Sequence, residues 1–269
     1  YPLFVTKVEL GQTILGTKLY EYTFDSGIYS ANGRRGTSVV KFTKPKLCFI
    51  LGIHGYEPAS TVGGFELFKQ MCDGLPSLSK YRNAFVYKVI ACANPDGYNA
   101  GTRGNGNTPQ VDLNRNFDAN WELTGEGTSY YGGASPASES ETQILQSWIQ
   151  ANRDAAVILD CHQSSFNEDI VYIAYENIFN SELISALQTR AKNIILSTQE
   201  LSGVLISRRG IKYNGNTGFI CTSNLNGSCG RYLAKSLSMG YTLECPETIG
   251  GNVFSLYSDL LGAVIDGLY

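Results

Sequence analysis

Charge is scarce in this chain. Only 17% of its residues are Asp, Glu, Lys or Arg, against 43% hydrophobic and 12% aromatic. That balance excludes a disordered polyampholyte, which would be charge-rich and poor in aromatics. An excess of either sign is also lacking: 21 basic against 24 acidic residues leave a net charge of −3. The densest basic run, Arg208-Arg209 with Lys212 nearby, is too short to make a basic stripe. A nucleic-acid or anionic-membrane binder is therefore not expected. No apolar run approaches the roughly 20 residues of a membrane helix. There is no internal repeat, no low-complexity linker and no C-x-x-C pair, which argues against a cysteine-rich zinc site. The composition reads as that of a soluble globular protein; the chain starts at Tyr1 with no signal-like charged-then-apolar opening, so the location stays open, leaning cytoplasmic. At 269 residues it is near the limit for one core, and a single domain over 1–269 is expected.

The seven cysteines are an odd number, so at least one thiol is unpaired or paired between chains. Cys48, Cys92 and Cys161 sit in apolar, strand-like runs and read as reduced core residues. Cys221, Cys229 and Cys245 could pair, and the sequence leaves that open.

Val5 to Phe24 alternates apolar and polar residues, which predicts strands joined at turns such as Leu10-Gly11-Gln12. Ser26 to Gly36 reads as loop. Continuous apolar runs at Leu47–Ile53, Phe85–Cys92, Ala155–Cys161, Ile170–Ala174 and Tyr241–Cys245 predict buried strands. A helix is predicted from Pro58, with Val62, Phe65, Leu67, Phe68 and Met71 apolar. Another spans Ser138 to Arg153, with Glu139 and Glu141 early and Arg153 late, as the helix dipole prefers. Ser181–Leu196 and Val253–Leu268 read as helices too. Strands alternating with helices imply an α/β fold, a mostly parallel sheet flanked by helices on both faces. Ligands of such sheets bind beyond the carboxyl ends of the strands.

The two histidines both follow strand patterns at that end. His54 begins His54-Gly-Tyr-Glu57, and His162 ends Leu159-Asp-Cys-His162. Ligands three positions apart reach one ion if the chain curls, which Gly55 permits. Pro58 biases Glu57 away from the helical region and suits a first helical position. His54, Glu57 and His162 would leave a fourth zinc position open for water, the mark of a catalytic site. Asp160 points to the same side of its strand as His162 and is a candidate partner for it. Asn94-Pro-Asp-Gly97 alone reads as a turn. With Arg103 and Asp112-Leu-Asn-Arg-Asn-Phe117, it places two arginines between the proposed ligands, a pairing suited to an anionic substrate end and a polarised carbonyl.

This ordered set resembles the carboxypeptidase A-like zinc metallocarboxypeptidases, from about Lys46 to Glu247. The resemblance implies a mixed eight-stranded sheet between helices and one zinc ion on His54, Glu57 and His162. It further implies Arg103 stabilising the oxyanion, Asn114 and Arg115 holding a free substrate carboxylate, and Glu244 in Tyr-Thr-Leu-Glu244 as general base, with Glu247 a competing candidate. Where the family carries a lid Tyr this chain has Thr222, with Tyr213 near but out of step. Cys229 stands where the family sets side-chain preference; being small and uncharged, it offers no partner to a basic side chain. Gly-Ser-Cys229-Gly is similar to the segment of small bacterial members, including murein peptide amidases that cut between γ-D-glutamate and diaminopimelate. The expected activity is zinc-dependent removal of a C-terminal residue from a peptide or a peptidoglycan-derived peptide. The alternative is an N-acyl amino acid deacylase of the aspartoacylase or succinylglutamate desuccinylase type, which NPDG and the full DLNRNF disfavour.

Overall fold

The structure is a computed structural model that describes residues 4–27, 44–74, 82–164, 171–174, 220–222, 225–236 and 240–246. The helices expected over 181–196 and 253–268, Tyr213, Glu247 and most of the 26–36 loop lie outside the described residues.

Among the described residues, eight strands form one sheet: β1 (Val5–Gln12), β2 (Lys18–Phe24), β3 (Lys46–Leu51), β4 (Val86–Ile90), β5 (Val157–Ser164), β6 (Val171–Ala174), β7 (Ile220–Thr222) and β8 (Gly240–Pro246). Their order is β1-β2-β4-β3-β5-β8-β6-β7. The central run β4-β3-β5-β8 is parallel, β1-β2, β2-β4 and β8-β6 are antiparallel, and β6-β7 is parallel. The fold is thus the mixed α/β class expected. The helices of the described residues are α1 (Pro58–Asp73), α2 (Pro95–Ala100), α3 (Ser140–Ala151) and α4 (Cys229–Lys235).

Strand β3 is buried on both faces, which is why it reads as an unbroken apolar run. Its side chains alternate across the sheet. Cys48 and Ile50 join a core with Ile158, with Leu145, Trp148 and Ile149 of α3, and with Leu233 of α4. Phe49, on the opposite face, meets Phe68 of α1 edge-on at 5.3 Å between ring centroids. Helices therefore cover both faces.

Three local expectations change. Leu10-Gly11-Gln12 is not a turn; β1 runs through it with a bulge between Glu9 and Gly11, where Ile144 of α3 crowds against Gly11. Of the apolar residues expected to pack from α1, Phe68 and Met71 are buried, but Val62 and Phe65 are exposed, and Ser60, Gly63 and Gly64 are buried in their place. Small residues let the helix come down directly onto Leu51, which lies where a Gly64 side chain would be. Asn94-Pro-Asp-Gly97 is the start of α2 rather than a free turn: Asn94 caps it by accepting the Gly97 N–H at 2.9 Å.

Candidate active site

The carboxyl ends of β3, β5 and β8 meet at one edge. His54 lies just past β3, where the chain turns back with Glu57 N–H donating to the His54 carbonyl at 3.1 Å. Pro58 opens α1 and Glu57 stands at its N-cap. The turn is tight against α2: a side chain at Gly55 would overlap the Gly97 carbonyl group. His162 lies in β5, and its register partner on β8 is Glu244. One sheet edge thus holds three of the predicted residues, and the turn after β3 brings the fourth.

The predicted triad converges. Glu57 Oε1 is 2.6 Å from His54 Nδ1, and Glu57 Oε2 is 3.1 Å from His162 Nδ1. The ligand atoms of His54, Glu57 and His162 all lie within 4.8 Å of one another. The far ring nitrogens are tied down: His54 Nε2 to Asp112 Oδ1 at 3.2 Å, and His162 Nε2 to Asp160 Oδ2 at 3.1 Å. Such acceptors fix the tautomer that leaves Nδ1 facing a metal and raise the basicity of the ring. Glu57 is braced by the Gln163 N–H at 3.0 Å, while Gln163 Oε1 accepts the Ala59 N–H of α1 at 2.8 Å.

The charges fit a metal as well. Glu57, Asp112 and Asp160 are 5%, 1% and 0% exposed. Among the described residues Arg103, on Asp112, is the only Lys or Arg that pairs with any of them. Buried anions require compensating cations, and a divalent ion among two imidazoles and a carboxylate supplies that charge. Burial would raise the Glu57 carboxyl, but the two histidines hold it well below the usual carboxylate range. Burial also pushes Glu244 above its ordinary value, against the pull of His162.

Asp112 ties this centre to the arginines. It caps the 3-10 turn Leu113–Arg115 by accepting the Asn114 N–H at 2.9 Å. Its Oδ2 accepts Arg103 Nε–H at 2.8 Å. Arg103 also donates to the Tyr56 hydroxyl at 2.8 Å, which leaves the NH2 end of its guanidinium for another acceptor. Arg115 donates to the Asn114 carbonyl at 2.8 Å, and no carboxylate among the described residues pairs with it. Asn114 Oδ1 accepts the Cys229 N–H at 2.8 Å. Gly227 lets the loop before α4 approach, since a side chain there would overlap the Arg115 carbonyl. Cys229 is fully buried; burial and the neighbouring Asp160 carboxylate push its thiol well above its ordinary pKa, so it is a neutral group at the base of Asn114.

Every predicted site residue in the described segments therefore lies in this one region. Three contributors carried no assigned role at the level of sequence. Asp112 sits inside the quoted DLNRNF, and Tyr56 inside His54-Gly-Tyr-Glu57; adjacency to the ligands was the available signal. Tyr130, whose ring lies near the Arg103 and Arg115 guanidinium groups, belongs to a loop whose sequence carries no such signal. The Thr222 position forms part of β7.

A sheet edge that gathers two histidines, a glutamate and two guanidinium groups defines a mononuclear metallohydrolase-type centre. The chain belongs to the zinc carboxypeptidase family, whose model matches residues 1–249, and with that the cofactor is zinc. Murein peptide amidase A of Escherichia coli is 36% identical over 124 residues, a match covering 40% of this chain and 46% of that protein; the match therefore spans less than half of this relative. The crystal structure of carboxypeptidase A from Helicoverpa armigera superposes with a TM-score of 0.69 at 21% identity, over 99% of this chain and 67% of that one. That of murein-tripeptide amidase from Escherichia coli gives 0.55 at 20% identity, over 97% and 91%. Both likenesses are of fold. No helix among the described residues is long and apolar enough to cross a membrane.

Proposed function

We propose that the protein is a zinc-dependent exopeptidase that releases the last residue of a peptide bearing a free carboxylate. The observation that carries this reading is the position of the Asn114-Arg115 turn: Asp112, its cap, also holds His54 and Arg103. The Arg115 guanidinium, which pairs with no carboxylate among the described residues, is thus linked to the metal group through Asp112, so that a gripped carboxylate would bring the bond next to it toward the zinc.

His54, Glu57 and His162 would hold the zinc ion; the chemistry it supplies when bound is Lewis-acid polarisation of the scissile carbonyl and acidification of the attacking water. The remaining work falls to side chains of this chain. Glu244, the register partner of His162 on β8, takes the water's proton and passes it to the leaving amine. Arg103, immobilised by Asp112 and Tyr56, presents its NH2 end to the developing oxyanion. Asn114 and Arg115 grip the terminal carboxylate, and the neutral Cys229 backs Asn114 without offering a counter-charge to a basic side chain.

Similarity to a murein peptide amidase supports a peptidoglycan-derived peptide, cut between γ-D-glutamate and diaminopimelate, as the substrate. The test is a mass-spectrometric assay of zinc-loaded protein on α-linked peptides of varied C-terminus together with L-Ala-γ-D-Glu-diaminopimelate, with and without chelator. Chelator-sensitive release of diaminopimelate alone is expected. Loss of residues from the α-linked peptides only would replace the cell-wall substrate by ordinary peptides. Cleavage of neither, with activity on N-acetylaspartate or N-succinylglutamate, would move the protein to the deacylases.

A further inference from the structure

Tyr130 stands out among the exposed aromatic residues. It is 55% exposed, yet its ring centroid lies 5.0 Å from Arg103 Cζ and 5.9 Å from Arg115 Cζ. It is therefore within reach of both guanidinium groups of the site. Nor is the ring placed by chance. The loop folds on itself at Gly125, whose carbonyl accepts the Thr128 N–H at 2.8 Å and the Thr128 hydroxyl at 2.7 Å. Thr128 Oγ1 in turn accepts the Tyr130 N–H at 3.1 Å. The next residue, Tyr131, is buried and its carbonyl accepts the Asp112 N–H at 2.7 Å. The loop that carries Tyr130 thus ends on the residue that orients His54, Arg103 and the Asn114-Arg115 turn.

We propose that Tyr130 is a substrate-contacting residue whose ring covers the carboxylate held by Arg115 beside Arg103 and shields that ion pair from water. The inference rests on the carboxylate clamp described above. An aromatic face attracts a guanidinium, more strongly as water is excluded, and a charge pair in a lower-dielectric surrounding is stronger and less screened by salt. The ring lies near both cations; with a carboxylate bound it would close the solvent side of the pair. The role belongs to the ring rather than to the hydroxyl.

The experiment is calorimetric titration of 3-phenylpropanoate, with 3-phenylpropanamide as uncharged control, into zinc-loaded wild type and the variants Tyr130→Phe, Tyr130→Ala and Arg115→Ala. Salt is varied from about 0.01 to about 0.15 M, over which the screening length falls from about 30 to about 8 Å. Tyr130→Ala is expected to weaken carboxylate binding by at least about threefold and to steepen its salt dependence, with the amide unaffected. Tyr130→Phe should match wild type in both. A structural role alone would lower the melting temperature without changing the salt slope. If Arg115→Ala loses carboxylate binding while Tyr130→Ala keeps wild-type affinity and slope, the inference fails and the clamp stands. If Arg115→Ala binds the carboxylate as wild type does, the clamp fails and the inference with it.

Discussion

Replacing Asp112 by Asn keeps the shape of the side chain and removes its charge. The carboxylate is 1% exposed and serves three donors: Arg103 Nε at 2.8 Å, the Asn114 N–H at 2.9 Å and His54 Nε2 at 3.2 Å. Burial alone would raise its pKa, but the hydrogen bond and charge of His54, with Arg103 and Arg115, hold it at about 2. In the Asn variant one face becomes an amide donor directed at a donor. Loss of a carboxylate behind a metal-ligating imidazole costs roughly 10- to 100-fold in metal affinity, about 1.4 to 2.8 kcal/mol. Breaking a buried ion pair costs about 3–5 kcal/mol; Arg103 keeps 15% side-chain exposure, which argues for the lower end. Zinc affinity is measured by competition with a chromophoric chelator, and the stability of the metal-free protein by urea unfolding. The acid side has a definite sign. A depressed carboxyl pKa contributes stability that is present above the ordinary value of 3.8 and is lost as pH falls toward about 2. The stability gap between wild type and Asp112→Asn should therefore narrow through that window. Unchanged zinc affinity, together with a gap that does not depend on acid pH, would refute the assignment of Asp112 as the tie between the metal group and the arginines.

Glu244→Gln should bind zinc as wild type does and lose about 10²- to 10⁴-fold in kcat, measured by stopped assay alongside metal content; retained turnover would remove Glu244 as base. In the metal-free wild type the Glu244 carboxyl should titrate above the ordinary Glu value of 4.5, because burial raises it; a midpoint at or below that value, read from its carboxyl NMR signal, would contradict the burial argument. Arg115→Ala should raise KM and lower kcat for substrates with a free carboxylate, and an unchanged kcat/KM would reject the clamp. Gly55→Ala forces a methyl group into the Gly97 carbonyl, so α1 and α2 must separate; a loss of at least about 1–3 kcal/mol in urea unfolding is expected, with zinc affinity reduced too, and wild-type values for both would show that the turn has room.

The parallel core of the fold was legible because its strands are buried on both sides and therefore uniformly apolar: Leu47–Ile53 and Ala155–Cys161 announce β3 and β5 directly. The site was legible because its chemistry needs rare residue types at strand ends, and the chain has only two histidines. Less visible were features decided by a neighbour. The packing face of α1 was read from hydrophobicity only in part: Phe68 and Met71 are buried, but close contact with Leu51 requires glycine at Gly64, and Val62 and Phe65 stay exposed. The need for glycine at the bulge position Gly11 comes from Ile144 of α3, more than a hundred residues away in sequence, which a side chain there would meet. The helical start at Pro95 depends on Asn94 turning its side chain inward, where Nδ2 donates to the Ile53 and Gly104 carbonyls at 3.0 and 3.1 Å. Asp112 was in plain view within a motif, but its double duty toward His54 and Arg103 appears only once the loop from 101 to 112 is folded.

The most direct test of the central claim compares L-Ala-γ-D-Glu-diaminopimelate with the same peptide carrying carboxamides in place of the diaminopimelate carboxylates, each incubated with zinc-loaded protein. The account predicts chelator-sensitive release of the last residue from the carboxylate peptide, with the carboxamide peptide left essentially intact and Arg115→Ala erasing the difference. Equal cleavage of both peptides by the wild-type protein would contradict it.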